Sequence, residues 1–163
     1  MPTFGIGVAA GGSNVDGRQD SSDLAALVRF RLTPGLLIEG ELGRTEFDNN
    51  VRVDRRIGGS LVWEIGARNS WSPYILGGGG VQQAEVDGSF STTQEFGEIG
   101  VGLRWALSRH LHLTADIRAG ARKAIDSDQP ERLSAAVRAV APPIADDDTE
   151  KFTRGRLAAI LYF

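Results

Sequence analysis

The chain has 163 residues and a formal net charge of −3, enough for a single domain with its own core. It has no basic excess of the kind that binds nucleic acid. The absence of cysteine excludes disulfides, thiolate metal sites and cysteine nucleophiles. Twenty-one glycines and six prolines favour a turn-rich β protein. The longest uninterrupted apolar run, residues 157–163, is shorter than the ~18 residues of a membrane-spanning helix.

Most segments between turn signals alternate between apolar and polar residues with a period of two, which is typical of β-strands. In chain order, the predicted strands are residues 4–11, 24–32, 36–44, 51–65, 74–86, 95–107, 111–122 and 152–163. The faces of the fifth strand stay unassigned because it contains the glycine run 77–80. The strands have about the length that crosses a bilayer at a tilt, roughly 9–11 residues.

The predicted connections alternate between short and long. Tight turns are expected at residues 33–35, 68–70 and 108–110, and longer polar links at residues 12–23, 45–50, 87–94 and 123–150. In an antiparallel barrel all short turns then share one rim with both termini. This asymmetry is typical of outer-membrane barrels, and it predicts an all-β, eight-stranded, antiparallel up-and-down transmembrane β-barrel as one domain over residues 1–163.

The charged face of the strands holds nearly balanced charges, which predicts ion pairs in an enclosed lumen because an unpaired buried charge is costly. These residues are Arg29, Arg31, Arg56, Arg104, Arg118, Arg154 and Arg156, with Glu39, Glu41, Glu64, Glu98 and Asp116. The chain has sixteen arginines and only two lysines, and arginine is favoured where a charge is enclosed and paired. Genomic base composition is the alternative explanation for this ratio.

Two further features favour a lumen on the charged face. Small residues, such as Gly58, Gly100 and Gly102, share that face and are expected to make room for long charged side chains from opposite strands. Aromatic residues lie on the apolar face near the short-turn rim, as in an interfacial girdle. They are Trp63, Trp105 and Phe163, with Phe30 close by. A soluble lipocalin-like barrel that binds an apolar ligand is the alternative with the opposite polarity.

With this pattern, nearly the whole chain resembles the small outer-membrane barrels of the outer-membrane protein A or X kind. Its last strand is similar to the terminal signal that the outer-membrane barrel assembly machinery recognises. Arg156, Leu161 and Phe163 match that signal, and Ala158 stands where glycine is usual. Residues 73–81 resemble the fifth strand of this superfamily. The resemblance implies a monomer in the bacterial outer membrane, surrounded by lipid and lipopolysaccharide; since Met1 and Pro2 lead directly into the first strand, we expect a mature form with an added methionine.

The same superfamily includes lipid-modifying enzymes with a catalytic histidine at the outer rim. Here the two histidines, His110 and His112, both fall at the short-turn rim, and His110 is predicted to be a turn residue in the headgroup zone. This position disfavours a lipid-modifying enzyme, which is kept as a second alternative. The sequence predicts no enzyme, no cofactor and no metal site. The acidic run 146–148 lacks the spacing of a calcium-binding loop.

An eight-stranded barrel is only wide enough inside for side chains, so the inward charges predict a lumen closed by ion pairs, with little steady conductance. A gated ion path is the minor alternative. The expected role is structural, anchoring or loop-mediated. In the long loop 123–150, residues 130–141 place apolar side chains at helical spacing, which predicts a short helix that caps the mouth or binds a protein partner. A mobile loop or a strand extension is the alternative. Arg44 and Arg55 are expected to point outward near the loop rim and to bind lipopolysaccharide phosphates.

Overall fold

The computed structural model is a closed antiparallel β-barrel, and this confirms the predicted fold class. It describes residues 2–15, 19–47, 52–86, 90–124 and 150–163. The strands in this part of the chain are β1 (Phe4–Val15), β2 (Gln19–Thr33), β3 (Leu36–Phe47), β4 (Arg52–Glu64), β5 (Trp71–Val86), β6 (Phe90–Ala106), β7 (Leu111–Ala124) and β8 (Glu150–Tyr162). Each strand pairs with the next one along the chain, and β8 pairs with β1. Within the described residues, no helix is long and apolar enough to cross a membrane.

The strands extend further toward the long-loop rim than the alternation predicted. Polar residues of the predicted link 12–23 pair across β1 and β2, with Ser13 opposite Ser21 and Asn14 opposite Asp20. Residues 45–47 and 90–94 also belong to strands, so the predicted links were too long. The reason is that alternation marks only the part of a strand that faces an apolar medium, whereas backbone pairing continues through polar residues. The predicted helix 130–141 and the acidic run 146–148 lie outside the described residues.

Apolar side chains cover the outside of the barrel, and the seven strands with predicted faces have the predicted orientation. Ile99, Ile117 and Leu157 are 64%, 63% and 68% exposed in mid-strand positions. A soluble barrel would bury this face. The lipocalin-like alternative is therefore wrong about the polarity of the barrel, and the arrangement is that of a transmembrane barrel.

The rim aromatics lie on the outer face near the short turns, as the sequence predicts. Trp63, Phe163 and Phe30 are all exposed there. Trp71 was missed because the predicted fifth strand began at residue 74, and its ring stacks on that of Trp105 with centroids 4.9 Å apart. Amphipathic rings at this level suit the boundary between lipid tails and headgroups.

Four of the inward glycines make room for aromatic rings. A Cβ added to Gly5, Gly58, Gly102 or Gly120 would press on Tyr162, Phe96, Tyr74 or Phe152, respectively. Gly100 makes room for a charged side chain, since its Cβ would lie 2.9 Å from Arg118 Cγ, and a Cβ at Gly120 would also lie 3.0 Å from Glu98 Cβ. The expectation that glycines accommodate charged residues therefore holds at Gly100, whereas at Gly58 and Gly102 the space is occupied by aromatic rings.

Replacing Gly102 by valine is expected to lower the free energy of unfolding by about 1–3 kcal/mol, because the new side chain must displace the Tyr74 ring. Urea unfolding in detergent micelles measures the change. Gly77→Ala is the matched control, since a Cβ at Gly77 meets nothing within 4 Å and should change stability by ~1 kcal/mol at most, in the favourable direction. Equal losses in the two variants would contradict this account of the glycines.

Candidate functional site

The structure places all the charged residues predicted for the lumen inside the barrel, each at most 8% exposed. They are Arg29, Arg31, Glu39, Glu41, Arg56, Glu64, Glu98, Arg104, Asp116, Arg118, Arg154 and Arg156. They reach the same interior because alternate residues of a strand share a face, and every one of them has the inward parity of its strand.

Arg118 of β7 lies at the centre of these contacts. Its guanidinium is 2.8 Å from Glu39, 2.8 Å from Glu98 and 2.9 Å from Asp116. In a closed ring of eight strands, β3 and β7 lie on opposite walls, so the Arg118–Glu39 ion pair crosses the lumen. The side chains of one arginine and one glutamate, both at inward positions, are together long enough to connect the two walls.

Two arginines of β8 extend this arrangement. Arg154 forms a bidentate pair with Glu41, at 2.7 and 3.0 Å, and also contacts Glu98 at 2.9 Å. Arg156 contacts Glu39, Glu41 and Asp116 at 2.8–2.9 Å. Arg29 of β2 pairs with Glu39 at 2.6 Å. We call these groups the central network, with the members Arg29, Glu39, Glu41, Glu98, Asp116, Arg118, Arg154 and Arg156.

The central network is electrically neutral, since it contains four arginines and four carboxylates. Arg118, Arg154 and Arg156 each contact at least two carboxylates, which a planar guanidinium can do and a single ammonium does less well. The two lysines, Lys123 and Lys151, are exposed instead. The preference for arginine in this chain therefore has a structural reason inside the barrel.

At the short-turn end of the lumen, Glu64 lies between two arginines, 3.3 Å from Arg31 and 3.1 Å from Arg104. Both arginines also donate to backbone carbonyls of the turns. Arg31 Nη1 is 2.6 Å from the Pro34 oxygen, and Arg104 Nη2 is 2.8 Å from the Ala67 oxygen. These contacts fix two turns to side chains of the lumen.

At the long-loop end, Arg56 lies against aromatic rings rather than in a close ion pair. Its Cζ is 4.4 Å from the Phe96 ring centroid and 5.2 Å from that of Phe152, and its distance to Glu98 is 3.9 Å. Gln82 accepts a hydrogen bond from Arg56 at 3.3 Å. A cavity of about 10 Å³ beside Arg56 and the central network has room for about one water molecule.

Sequence reasoning missed several lumen residues. Asp54 is fully buried and accepts a hydrogen bond from Gln82 at 2.5 Å, and Arg122 also points inward. Both have the parity of the predicted lumen face, so this signal was available. Tyr74, which donates to Asp116 at 2.8 Å, belongs to the strand without assigned faces. Apolar side chains such as Leu27 also face inward. The alternation between apolar and polar residues does not predict inward apolar side chains.

The other predicted positions lie at the two rims and in the last strand. Arg44 and Arg55 are exposed on the outer face and directly opposite each other on β3 and β4. In β8, Arg156 and Ala158 point inward, while Leu161 and the residue after the strand, Phe163, point outward. These positions alternate as the resemblance to an assembly signal implies.

The two histidines occupy different environments at the short-turn end. His110 lies exposed in the turn between β6 and β7, and its backbone N–H donates to Ser108 Oγ at 3.2 Å. His112 is buried, with its ring 4.6 Å from that of Tyr162. Across the described ranges, no group of three or more histidine, aspartate or glutamate side chains could hold a metal ion.

Comparison with known proteins relates this chain to others through its fold. No family model and no curated protein sequence matches it. Neisserial surface protein A has a similar structure, with a TM-score of 0.71 at 12% identity, covering 98% of this chain and 96% of that one. The N-terminal β-barrel domain of OprF from Pseudomonas aeruginosa has a TM-score of 0.60 at 11% identity, over 98% and 99%.

A third similar structure is Ail, the attachment invasion locus protein of Yersinia pestis. Its TM-score is 0.51 at 16% identity, and the match covers 99% of this chain and 97% of that one. At these identities the likeness concerns the fold. The chain has the fold of the small eight-stranded outer-membrane barrels.

Proposed function

We propose that the protein is an integral outer-membrane barrel with a structural, anchoring or loop-mediated role, and that its lumen is closed by the central network. The observation that carries this proposal is the Arg118–Glu39 pair, which joins opposite walls inside a neutral cluster. An ion that crosses the barrel would have to displace these paired charges. Separating a buried ion pair is costly, since each buried charge without a partner raises the free energy by several kcal/mol.

Planar-bilayer recording tests the closed lumen. The wild-type protein is expected to show little or no steady conductance. The double variant Arg118→Ala/Glu39→Ala, which removes the bridge between the walls, is expected to conduct more than the wild type. A heat-shift gel on the same samples shows that each barrel is folded before insertion. A large, stable open-channel current from the wild-type protein would refute the closed lumen.

The exposed apolar belt supports residence in the outer membrane, where lipid and lipopolysaccharide surround the barrel. The terminal residues Arg156, Ala158, Leu161 and Phe163 would be recognised by the outer-membrane barrel assembly machinery. Their strand is suited to this role because β8 forms the closing seam with β1. A partner bound by the long loop 123–150 would give the barrel its anchoring or attachment role.

The surroundings of the histidines support a role without catalysis. Ser108 lies near His110, but its hydroxyl accepts hydrogen bonds from the backbone N–H groups of His110 and Leu111, at 3.2 and 3.0 Å. This is the geometry of a turn rather than of a nucleophile and its base. His112 points into the lumen, away from the outer surface where lipid substrates would lie. A change in lipid A mass on expression would revive the enzyme hypothesis.

Arg44 and Arg55 are proposed to bind lipopolysaccharide phosphates. Two exposed arginines directly opposite each other across a strand pair can both contact one phosphate group, and the guanidinium fork is well suited to phosphate oxygens. In the Arg44→Ser/Arg55→Ser variant, the rise in melting temperature on adding lipopolysaccharide is expected to fall by at least half. Replacing the exposed Arg68 and Arg109 of the short turns provides the control. An unchanged rise in the first variant would exclude these two arginines as ligands.

A further inference from the structure

A second group of buried side chains lies below the central network, at the short-turn end of the lumen. We call it the short-turn cluster. Its members are Arg31, Glu64, Arg104, His112, Thr114 and Tyr162, and each is at most 8% exposed. They come from five strands, so the group exists only once the barrel has closed.

The short-turn cluster carries one surplus positive charge. Arg31 and Arg104 share the single carboxylate of Glu64, at 3.3 and 3.1 Å. The central network above it is neutral and offers no further carboxylate to balance this charge. Arg31 and Arg104 also contact turn carbonyls, but a carbonyl dipole does not neutralise a buried cation.

The cluster also contains buried polar atoms without a hydrogen-bond partner. Arg31 Nε, His112 Nδ1, Thr114 Oγ1 and Tyr162 Oη are all in this state. Each of these groups can donate a hydrogen bond, whether always, as Arg31 Nε does, or in one tautomer or rotamer. A buried donor without a partner costs about 1–3 kcal/mol, so a group of four is a strong reason to expect an acceptor among them.

Three of these donors, those of Arg31, His112 and Tyr162, lie close together. The His112 ring lies 4.6 Å from the Tyr162 ring, and Arg31 Cζ lies 5.6 Å from the same ring. Thr114 is directly opposite Arg104 in the pairing of β6 with β7. Tyr162 therefore lies beside both His112 and Arg31.

The rim next to the cluster favours the approach of a negative charge. Tyr162 is the last residue of β8, so the cluster is close to the short-turn mouth. The turns at residues 34–35, 65–70 and 107–110 contain no acidic residue, and they carry the exposed Arg68 and Arg109. A positive rim raises the local concentration of anions.

We propose that the short-turn cluster binds one small monovalent anion of the halide class, chloride in its natural setting. Such an ion accepts several hydrogen bonds at once and cancels the surplus charge, whereas a water molecule would satisfy donors without changing the charge. The neutral central network blocks the way beyond, so the ion binds at a dead end and does not cross the barrel. The site does not depend on the role proposed for the loops.

A halide titration tests this site in the folded barrel. Detergent-solubilised protein is transferred to sodium methanesulfonate, and chloride then replaces methanesulfonate at constant ionic strength. Binding to the folded state alone should raise the melting temperature by about 5–10 °C when chloride is at about 100 times its dissociation constant. Tyr162→Phe, which removes one donor and keeps the ring, should lose at least half of this rise.

Tyr74→Phe is the matched control. Tyr74 is also an inward tyrosine, but its hydroxyl donates to Asp116 in the central network. This variant should melt at a lower temperature than the wild type and yet keep the full chloride-dependent rise. Absence of the rise in the wild type would overturn the proposal. It would mean that water accepts the hydrogen bonds of these donors. An equal rise in Tyr162→Phe and the wild type would overturn the location.

Crystals grown with bromide provide a second measurement that needs no variant. Anomalous scattering should show one bromide within hydrogen-bond distance of Arg31 Nε and Tyr162 Oη. This result stands even if Tyr162→Phe fails to fold. Bromide found elsewhere, with none in the cluster, would refute the site, whereas a conducting wild-type barrel would refute only the closed lumen.

Discussion

Replacing Arg118 by alanine is expected to lower the free energy of unfolding by about 3–5 kcal/mol. Arg118 contacts Glu39, Glu98 and Asp116, and its loss leaves these carboxylates facing one another with one cation fewer. Their side chains are at most 4% exposed, so water cannot replace the arginine without entering the lumen. Urea unfolding of the protein in lipid vesicles measures the change.

Arg55→Ala is the matched control, because Arg55 is an exposed arginine on the outer face of β4. Its replacement should alter stability by about 0.5 kcal/mol or less. The double variant Glu39→Gln/Arg118→Gln should lose less unfolding free energy than the sum of the losses in Glu39→Gln and Arg118→Gln. The reason is that it removes both partners of the bridge. A loss for Arg118→Ala no larger than that for Arg55→Ala would mean that water, rather than the ion pairs, fills the lumen.

The second large effect is expected on the outside of the barrel. Ile117 is 63% exposed in the middle of β7, and in a protein surrounded by water its replacement by arginine would change little. In a bilayer, an arginine at the midplane costs about 2–4 kcal/mol. We expect Ile117→Arg to lose this amount in lipid vesicles.

Leu111→Arg is the matched control on the same strand and the same face. Leu111 is the first residue of β7, beside the short turn, where a charged side chain reaches the headgroups and costs about 0–1 kcal/mol. The difference between the two variants reports depth in the membrane. If both substitutions cost the same small amount, the apolar belt does not face lipid.

The faces of seven strands could be predicted because one side of each strand meets an apolar medium and the other side meets charges. The faces could not be predicted where consecutive residues, such as glycines, do not alternate between polar and apolar. Gly77 and its neighbours in β5 left that strand without faces, so Tyr74 was missed. Trp71 was missed because it precedes the predicted strand 74–86. The ends of the strands were also missed, because backbone pairing continues through Ser13 and Asn14, which alternation treats as a loop.

The partners within the lumen could not be predicted from the sequence. Parity placed Arg118 and Glu39 on the same side of the sheet, but their contact across the axis depends on strand tilt and register. The match between inward glycines and inward rings, such as Gly120 with Phe152, likewise depends on which strands become neighbours. The short-turn cluster draws on five strands, so no local pattern reveals it.

The eight members of the central network pair their charges with one another, and every one of them belongs to a strand. The stability of the barrel therefore comes from contacts between its strands and not from its loops. Grafting foreign peptides between β1 and β2 or between β3 and β4 should leave that stability intact. The barrel would then serve as a display scaffold, with variation confined to one end while the other stays fixed.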